Sequence, residues 1–407
     1  MTDVVDVVVV GGGIAGASLA YALAAGGLGV TVLEATTEYQ DRVRGESMQA
    51  WGVREARLLG VEQVLLDAGA HTSPLWKQYL EGAGEPAELP MMMMVPGVDG
   101  SLNLRHPDAC QALVDAAAGA GATVLRGVRG VELSGGPRPT VSYVVGGETR
   151  EVEAALVVGA DGRASTVRKQ VGIELERQEA VGYIAGMLLD GLEDVPDDHD
   201  AMVAEGDRLF LLFHQGGGRA RAYVAAGLSA QHQFSGRGAA RSFLDACDLA
   251  CFPWSDRVVS AAPAGPCATY PGDDTWTDEP FADGVVLIGD AAGHNDPIIG
   301  QGLSIGLRDA RIVRDLVLDR ARDSAQMAPY AEERSVRMER LRLVADVLAV
   351  TFAEDASNRS ARLTYFGEHT GGPDPTLLPL MVGAFAGPET IPPELVDSSV
   401  VDRIRRA

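Results

Sequence analysis

The apolar positions near the start of the chain predict a strand, a helix and a second strand. Residues 4–10 are almost continuously apolar, and no charged residue occurs within residues 7–33. An apolar stretch of this length could cross a bilayer, which takes about 20 residues. Glycines at 11–13 and 26–27 divide it instead into pieces of ordinary globular length. We therefore expect a buried βαβ unit, whose parallel strands are apolar on both faces.

Two later segments carry a glycine and an aspartate directly after an apolar strand. Residues 155–158 precede Asp161-Gly162, and residues 284–288 precede Gly289-Asp290. In α/β proteins, ligands bind at the carboxyl ends of such strands. A helix predicted to begin near Leu303 would direct the partial positive charge of its N-terminus towards the same place.

The pattern changes after residue 178 to alternating strands at 181–189, 209–214 and 220–226, which predict an antiparallel sheet. From residue 308 to about 355 the apolar spacing is helical. The predicted fold class is α/β: a Rossmann-like dinucleotide-binding domain, a mixed-sheet substrate domain and C-terminal helices. The predicted bounds are 1–78, 98–177 and 281–325 for the first, 79–97 and 178–280 for the second, and 326–407 for the helical segment.

Composition narrows the possible partners. The 407-residue chain has a formal net charge of −23, which disfavours binding to nucleic acid or to an anionic membrane surface. Its four cysteines form no CxxC pair, so we expect no metal site. With no secretory signal ahead of the first strand, we expect a cytoplasmic protein without an integral membrane segment.

The first turn fits the dinucleotide-binding pattern GxGxxG. Gly11 permits the tight turn, Gly13 lets backbone approach a pyrophosphate, and Gly16 allows close packing of helix on strand. Glu34 ends the second strand, where it can accept hydrogen bonds from a ribose but would repel a 2′-phosphate. The motif predicts FAD or NAD rather than NADP.

Together the three segments resemble the class A flavoprotein monooxygenases, the p-hydroxybenzoate hydroxylase-like family. The resemblance covers residues 4 to about 319 and implies tightly bound FAD. It further implies that Arg44 and Arg105 neutralise phosphate charge. The cofactor-binding residues it implies are Gly11, Gly13, Ile14, Ala15, Gly16, Glu34, Ala35, Arg44, Arg105, Val128, Asp161, Gly162, Gly289, Asp290, Pro297, Gly300, Gln301, Gly302 and Leu303.

The same resemblance implies a reaction. NADH or NADPH reduces FAD and leaves, since the chain has a single GxGxxG, and O2 then forms a flavin C4a-hydroperoxide that transfers one oxygen atom. Pro297 and Gly300 lie in the loop beside the flavin, and His214 is the predicted polar contact to substrate. The chain departs from relatives at Gly293, where many have histidine, with His294 one position later, and at Ser304, where asparagine is common.

The substrate is expected to be a small aromatic or polyketide-like molecule, bound by a monomer or homodimer. The methionine run 91–94 is a predicted apolar wall of its pocket. Other candidate pocket residues lie in the antiparallel sheet and just after it. They are Met187, Phe213, His214, Tyr223 and Trp276.

Three alternatives use the same scaffold. A flavin-dependent halogenase is faintly indicated by Gly45-Glu46-Ser47 and Lys77, although the halogenase pattern WxWxIP is missing. An FAD-dependent reductase or desaturase acting on a prenyl-type substrate is the second. The third is a non-catalytic FAD-binding protein.

Overall fold

The computed structural model describes residues 3–43, 45–230, 232–321, 323–372 and 374–407. Within them the strands are β1 (Asp3–Val10), β2 (Val30–Glu34), β3 (Ser47–Met48), β4 (His71–Ser73), β5 (Leu75–Leu80), β6 (Ala87–Pro90), β7 (Ser101–Asn103), β8 (Thr123–Arg126), β9 (Arg129–Ser134), β10 (Thr140–Val145), β11 (Glu148–Gly159), β12 (Glu176–Gln178), β13 (Gly182–Asp190), β14 (His199–Glu205), β15 (Arg208–Gly216), β16 (Arg219–Gly227), β17 (Ala262–Pro263), β18 (Ala268–Pro271), β19 (Asp274–Trp276), β20 (Phe281–Ala282) and β21 (Val285–Leu287).

The α-helices are α1 (Ile14–Ala25), α2 (Ala50–Leu59), α3 (Glu62–Asp67), α4 (His106–Gly119), α5 (Thr166–Gln170), α6 (Ala239–Ala246), α7 (Ser255–Val259), α8 (Gly302–Leu318), α9 (Ala328–Phe352), α10 (Arg359–Thr370), α11 (Leu378–Ala386) and α12 (Ser399–Arg406).

The first large sheet contains the predicted βαβ unit. Its strands run in the order β20, β21, β11, β1, β2, β8, and β1 is parallel to both β11 and β2. The antiparallel hairpin β9–β10 extends it beside β11. Val7, Val8 and Val9 of β1 are completely buried, as expected for a strand covered on both faces. Helix α1 packs against α4 and α8 on one of those faces.

The second large sheet confirms the predicted change to antiparallel strands. Its order is β17, β13, β16, β15, β14, β5, β6, with β18 also paired to β13. The pair β14–β5 is parallel, which makes the sheet mixed. The domain boundary predicted after residue 78 falls within β5, because this strand starts at Leu75 and belongs to the second sheet.

The two faces of the second sheet have different neighbours. One face carries Phe210, Leu212 and Met187, which pack with Phe243 and Val258 of the short helices α6 and α7. We call this the back face. The opposite, front face carries the residues that alternate with these, and it is turned towards the first sheet and the C-terminal helices.

Helices α9 to α12 form the C-terminal segment, in agreement with the helical spacing of the sequence. Helix α9 packs against α8, α10, α11 and α12. Among the residues that the structure describes, no helix has the length and apolar character needed to span a membrane.

Candidate active site

A large cavity lies where the first sheet, the second sheet and the C-terminal helices meet. Its empty space amounts to about 2040 Å³, including the part that opens to solvent. One part is lined by the three glycine-containing segments that the sequence singles out. The other part, which we call the apolar lobe, is lined by the front face of the second sheet and by α9 and α11: Trp76, Gln78, Ile184, Met202, Leu209, Leu211, Phe213, Tyr223, Leu348, Met381, Ala384 and Phe385.

The three motif glycines of the first turn have different surroundings. Gly11 has φ +107°, and a Cβ added there would overlap the backbone of Ala160. A Cβ on Gly16 would overlap the carbonyl oxygen of Gly11, because helix α1 lies directly on β1 at this point. A Cβ on Gly13 would meet no protein atom within 4 Å, since Gly13 faces the cavity. Two glycines thus serve the fold, and the third leaves space for a ligand.

Glu34 is held close to this turn. Its Oε2 accepts a hydrogen bond from Gly12 N–H at 2.6 Å, and its Oε1 accepts from both the N–H and the hydroxyl of Thr36 at 2.7 Å. The Tyr39 hydroxyl donates to the Gly12 carbonyl at 2.6 Å. These contacts fix the carboxylate at the carboxyl end of β2, beside the N-terminus of α1.

Asp161 has a local role that the motif did not indicate. Its carboxylate accepts from the N–H of Thr166 at 2.6 Å, from the N–H of Val167 at 3.2 Å and from the Ser165 hydroxyl at 2.5 Å. It therefore stabilises the start of α5, and its neighbours Gly162 and Arg163 line the cavity instead. Asp161 and Gly162 were predicted together to contact the cofactor; in this geometry the Asp161 carboxylate caps α5, and the segment borders the cavity through Gly162.

Asp290 does reach the cavity. Its side chain is 35% exposed there, and its Oδ2 accepts from Arg163 Nε at 3.3 Å. Gly289 has φ +58° and donates its N–H to Asp309 at 2.8 Å, next to the crossing of α1 and α8. Asp290 is thus the carboxylate presented to a ligand, while Gly289 fixes the turn.

The loop before α8 is built rigidly. Pro297 follows Asp296, whose carboxylate accepts from Ile298 N–H at 2.9 Å, and Gly300 ends the turn with φ +61°. Gln301 is buried: its Oε1 accepts from Trp51 Nε1 at 2.7 Å, and its Nε2 donates to the Ala384 carbonyl at 2.8 Å. The Gln301 side chain therefore joins α2 to α11.

The start of α8 directs free backbone N–H groups at the cavity. Gly302 begins this helix without a side-chain cap, and a Cβ on it would meet nothing within 4 Å. Gly302 and Leu303 both line the cavity. Such a helix N-terminus favours negative charge.

The departures from the family pattern have structural reasons. A Cβ on Gly293, which has φ +116°, would overlap the backbone of Thr275, so a histidine at this position would require a different conformation of this loop. His294 lines the cavity, with Nδ1 2.8 Å from the Thr275 hydroxyl and Nε2 3.2 Å from Asp273. Burial and the nearby Arg163 lower the pKa of His294, which favours the neutral imidazole. Ser304 is completely buried against Gly52.

A buried ion pair beside the cavity escaped the sequence analysis. Arg221 on β16 is fully buried and donates from Nε and Nη2 to the two carboxylate oxygens of Glu46 at 2.7 and 2.9 Å. Its Nη2 also donates to Asp41 at 2.8 Å. Glu46 lines the cavity and belongs to the segment that leads into β3. The pair therefore joins this segment to the second sheet.

The alternation of side chains along the strands places the substrate candidates on opposite faces of the second sheet. Phe213 and Tyr223 lie on the front face and line the apolar lobe. His214 and Met187 lie on the back face, because successive side chains of a strand point to opposite sides, and the predicted role of both in substrate contact is not supported. The back-face position also buries His214, which lowers its pKa to about 4, with the nearby His199 adding to the effect.

Two further substrate candidates lie away from the cavity. Trp276 on β19 is covered by the guanidinium of Arg342, 4.2 Å from its ring centre. In the methionine run, Met91 is buried in the core, while Met92 and Met93 are 65% and 73% exposed. None of these side chains lines the cavity, so the predicted methionine wall is absent from it.

The remaining cofactor candidates differ in their relation to the cavity. Arg44 lies outside the described residues. Arg105 caps α4 from a half-buried position 3.7 Å from Asp108. Val128 is buried and donates its N–H to the Glu34 carbonyl at 3.0 Å, and the neighbouring Ala35 is exposed. Ile14 and Ala15 line the cavity at the start of α1.

These observations fit a bound FAD. Gly13, Gly162 and Gly302 leave open space where side chains would stand, and α1 and α8 both begin at the cavity without a side-chain cap. Asp290 lines the cavity and offers a carboxylate to ribityl hydroxyl groups, and Glu34 lies beside the turn that opens α1, where its Oε2 accepts from Gly12 N–H. The missed contributors Trp76, Met381 and Phe385 lie far from the motifs, and no local signal marked them.

Comparisons with known proteins agree with this arrangement. Residues 4–342 match the family described as FAD binding domain. Squalene monooxygenase SE1 of Panax ginseng is 24% identical over 336 residues, which cover 80% of this chain and 61% of that protein. 6-Methylpretetramide 4-monooxygenase of Streptomyces rimosus is 29% identical over 331 residues, covering 75% and 73%. The chain thus spans about three fifths of the length of the squalene monooxygenase.

Among solved structures, p-nitrophenol 4-monooxygenase of Pseudomonas putida superposes with a TM-score of 0.80. The match covers 96% of this chain and 99% of that one at 19% identity, a likeness of fold that confirms the predicted architecture. The chain belongs to the FAD binding domain family.

Proposed function

We propose that this protein is an FAD-dependent monooxygenase that consumes NADH or NADPH and inserts one oxygen atom from O2 into a small organic substrate. The observation that carries the proposal is the continuity of the cavity: the glycine-containing segments and the apolar lobe line one space. A flavin held by the first would face a substrate held by the second. Monooxygenases among the relatives support the same activity.

The residues would divide the binding of FAD among them. The open N-terminus of α1 at Gly13 suits the pyrophosphate, and Glu34 suits the adenosine ribose. Asp290 suits the ribityl hydroxyl groups. Bound FAD would supply the redox chemistry, taking hydride from the nicotinamide and activating O2.

The N-terminus of α8 would contribute electrostatics. Its uncapped N–H groups at Gly302 face the cavity between the FAD-binding segments and the apolar lobe. Preorganised dipoles of this kind stabilise negative charge on a reduced flavin ring without reorganisation during the reaction. Pro297 and Gly300 hold the loop that sets the position of this helix start.

The apolar lobe would exclude water from the reacting groups. Its aliphatic and aromatic lining has few polar atoms, so a bound substrate would displace most of the solvent. Exclusion of water would limit side reactions with solvent. The nicotinamide would visit transiently, as the single GxGxxG suggests.

The proposal is tested by following NADH and NADPH oxidation by the purified yellow protein, with and without candidate substrates, together with oxygen uptake. Substrate-triggered oxygen uptake with one atom of ¹⁸O2 in the product is the expected result. Turnover without oxygen would instead favour the reductase or desaturase. Tight FAD with no oxidation of either nicotinamide would favour a non-catalytic protein.

Halide incorporation into the product would favour the halogenase. The lysine that suggested this alternative, Lys77, pairs with Glu88 at 2.9 Å and does not line the cavity. It stands on the back face of β5, next to Trp76 and Gln78 on the front. This contact gives Lys77 a structural role and weakens the case for halogenation.

A further inference from the structure

The apolar lobe contains no charged side chain. The strands and helices that form it are fully described, and their contribution to the lining is aliphatic or aromatic except for Gln78, the Trp76 indole and the Tyr223 hydroxyl. The Gln78 amide nitrogen donates to the sulfur of Met202 at 3.7 Å. An anion placed in this lobe would lose its hydration without gaining a cation from these elements.

Charged side chains elsewhere on the described cavity lining do not provide a cationic partner for such an anion either. Arg163 is already paired with Asp290 at 3.3 Å. Glu46 is neutralised by Arg221, which lies behind it and is fully buried. Asp296 adds a further carboxyl. The described lining therefore offers a substrate no guanidinium or ammonium group that is not already paired.

Helix α11 forms one wall of the lobe. Met381, Ala384 and Phe385 line it, and the Phe385 ring lies 5.2 Å from the Trp76 ring of β5. The helix is tied to the start of α8 because Gln301 donates to the Ala384 carbonyl at 2.8 Å. On the same helix, Leu378 is 42% exposed and lies outside the cavity.

We propose that the substrate is an uncharged, largely apolar compound and that Met381 and Phe385 of α11 are specificity-determining residues that contact it directly. This rests on the proposed function for the identity of the site. Met381 and Phe385 of α11 line the same lobe as Leu211 of the second sheet, so a molecule that fills the lobe would contact both elements.

The substrate class can be tested by binding, independently of turnover. Fluorescence anisotropy of the FAD-loaded protein would compare 1-pyrenemethanol with 1-pyrenecarboxylate, a neutral and an anionic probe of nearly equal size. We expect the alcohol to bind at least about tenfold more tightly, because burying the carboxylate has no compensating partner. Equal or tighter binding of the carboxylate, or no binding of either probe, would overturn the proposal.

The role of α11 is tested by variants in the same assay. Phe385→Ala should weaken binding of 1-pyrenemethanol by about tenfold, since a ring-sized apolar contact is lost. Leu378→Ala, on the exposed side of the same helix, should leave it unchanged. If Phe385→Ala fails to retain FAD, Met381→Ala replaces it, and variants of both residues that bind like Leu378→Ala would exclude the assignment.

The two proposals fail in different ways. Oxygen-consuming turnover of an aromatic acid would leave the monooxygenase function intact and overturn the neutral substrate class. Binding of the neutral probe without any nicotinamide oxidation would leave the substrate class standing and count against the function.

Discussion

At the scale of single residues, the glycines of one motif are required for different physical reasons. Gly11 and Gly16 are required by the protein itself, because any Cβ there would overlap backbone atoms. Gly13 has φ −73°, a value open to any residue, and nothing stands within 4 Å of its Cβ direction. No contact within the described protein requires glycine at position 13, and its place on the cavity lining assigns it to ligand binding and not to folding.

Gly13→Val should therefore lower FAD affinity by at least about tenfold, because the side chain would block backbone approach to the pyrophosphate. The melting temperature of the FAD-free protein should stay close to that of the wild type. Gly16→Val is the matched control, since it should reduce the stability of the FAD-free protein as well. Equal FAD affinity in Gly13→Val and wild type would show that the pyrophosphate lies elsewhere.

His214 is a second case in which one position decides the role of a side chain. It is neutral at physiological pH, since burial lowers its pKa to about 4, below the usual value near 6.5. The unfolded chain binds a proton that the folded protein does not, so stability falls as the pH drops from about 6.5 to 4.

His214→Gln should flatten this part of the stability curve, an effect on the order of a few kcal/mol, measured by urea unfolding between pH 4 and 7. Substrate KM should be unchanged, because the side chain is on the back face. Phe213→Ala, one residue away on the front face, should raise KM. A raised KM in His214→Gln would contradict the back-face position and would support the predicted contact between His214 and substrate.

At the scale of elements, one buried carboxylate connects three segments. Asp309 on α8 accepts from Gly289 N–H at 2.8 Å, from Arg334 at 3.2 Å and from Arg337 at 2.6 Å. Burial alone would raise the pKa of Asp309, but the two guanidinium groups of α9 hold it below the usual value. The turn that presents Asp290 is thereby fixed to both helices.

Asp309→Asn should cost about 3–5 kcal/mol of unfolding free energy, because it leaves two buried arginines without their shared counter-ion. It should also weaken FAD binding, since the Gly289-Asp290 turn loses its anchor. Chemical denaturation and FAD titration measure the two effects. Asp315→Asn, on the exposed end of α8, is the control and should change stability by less than about 1 kcal/mol. Similar results for both variants would contradict this role of Asp309.

The sequence predicts the elements better than it predicts their faces. The βαβ unit, the antiparallel strands and the C-terminal helices follow from hydrophobic spacing, and the structure confirms them. Both faces of the second sheet are apolar, so spacing alone could not show that Phe213 faces the cavity and His214 the helices. For a related reason the motif did not reveal that the Asp161 carboxylate caps α5: a motif marks a turn but does not say which way its carboxylate points.

At the scale of the whole molecule, the cavity depends on how the second sheet is joined to the FAD-binding segments. Arg221 of the sheet contacts Glu46 and Asp41, which precede β3. Motif analysis could not reveal these contacts, because the partners are far apart in the sequence. Burial is offset by these carboxylates, which keep the pKa of Arg221 above its usual value. On the other side, Gln301 joins α11 to the start of α8. Polar contacts thus connect the elements on two sides of the apolar lobe, through Arg221 on one side and through Gln301 on the other.

The contribution of the Arg221–Glu46 ion pair to stability can be tested by comparing a variant that lacks one partner with a variant that lacks both. Arg221→Met should cost about 3–5 kcal/mol, because Glu46 is left buried and unpaired, whereas Glu46→Gln combined with Arg221→Met should cost less, since the stranded charge is gone. Arg219 lies on the same strand as Arg221 and forms a half-exposed ion pair with Asp190. Arg219→Met breaks this pair and should cost at most about 1 kcal/mol. Urea unfolding of the three proteins gives these values. A double variant no more stable than Arg221→Met would mean that Arg221 acts through packing of its side chain and not through charge.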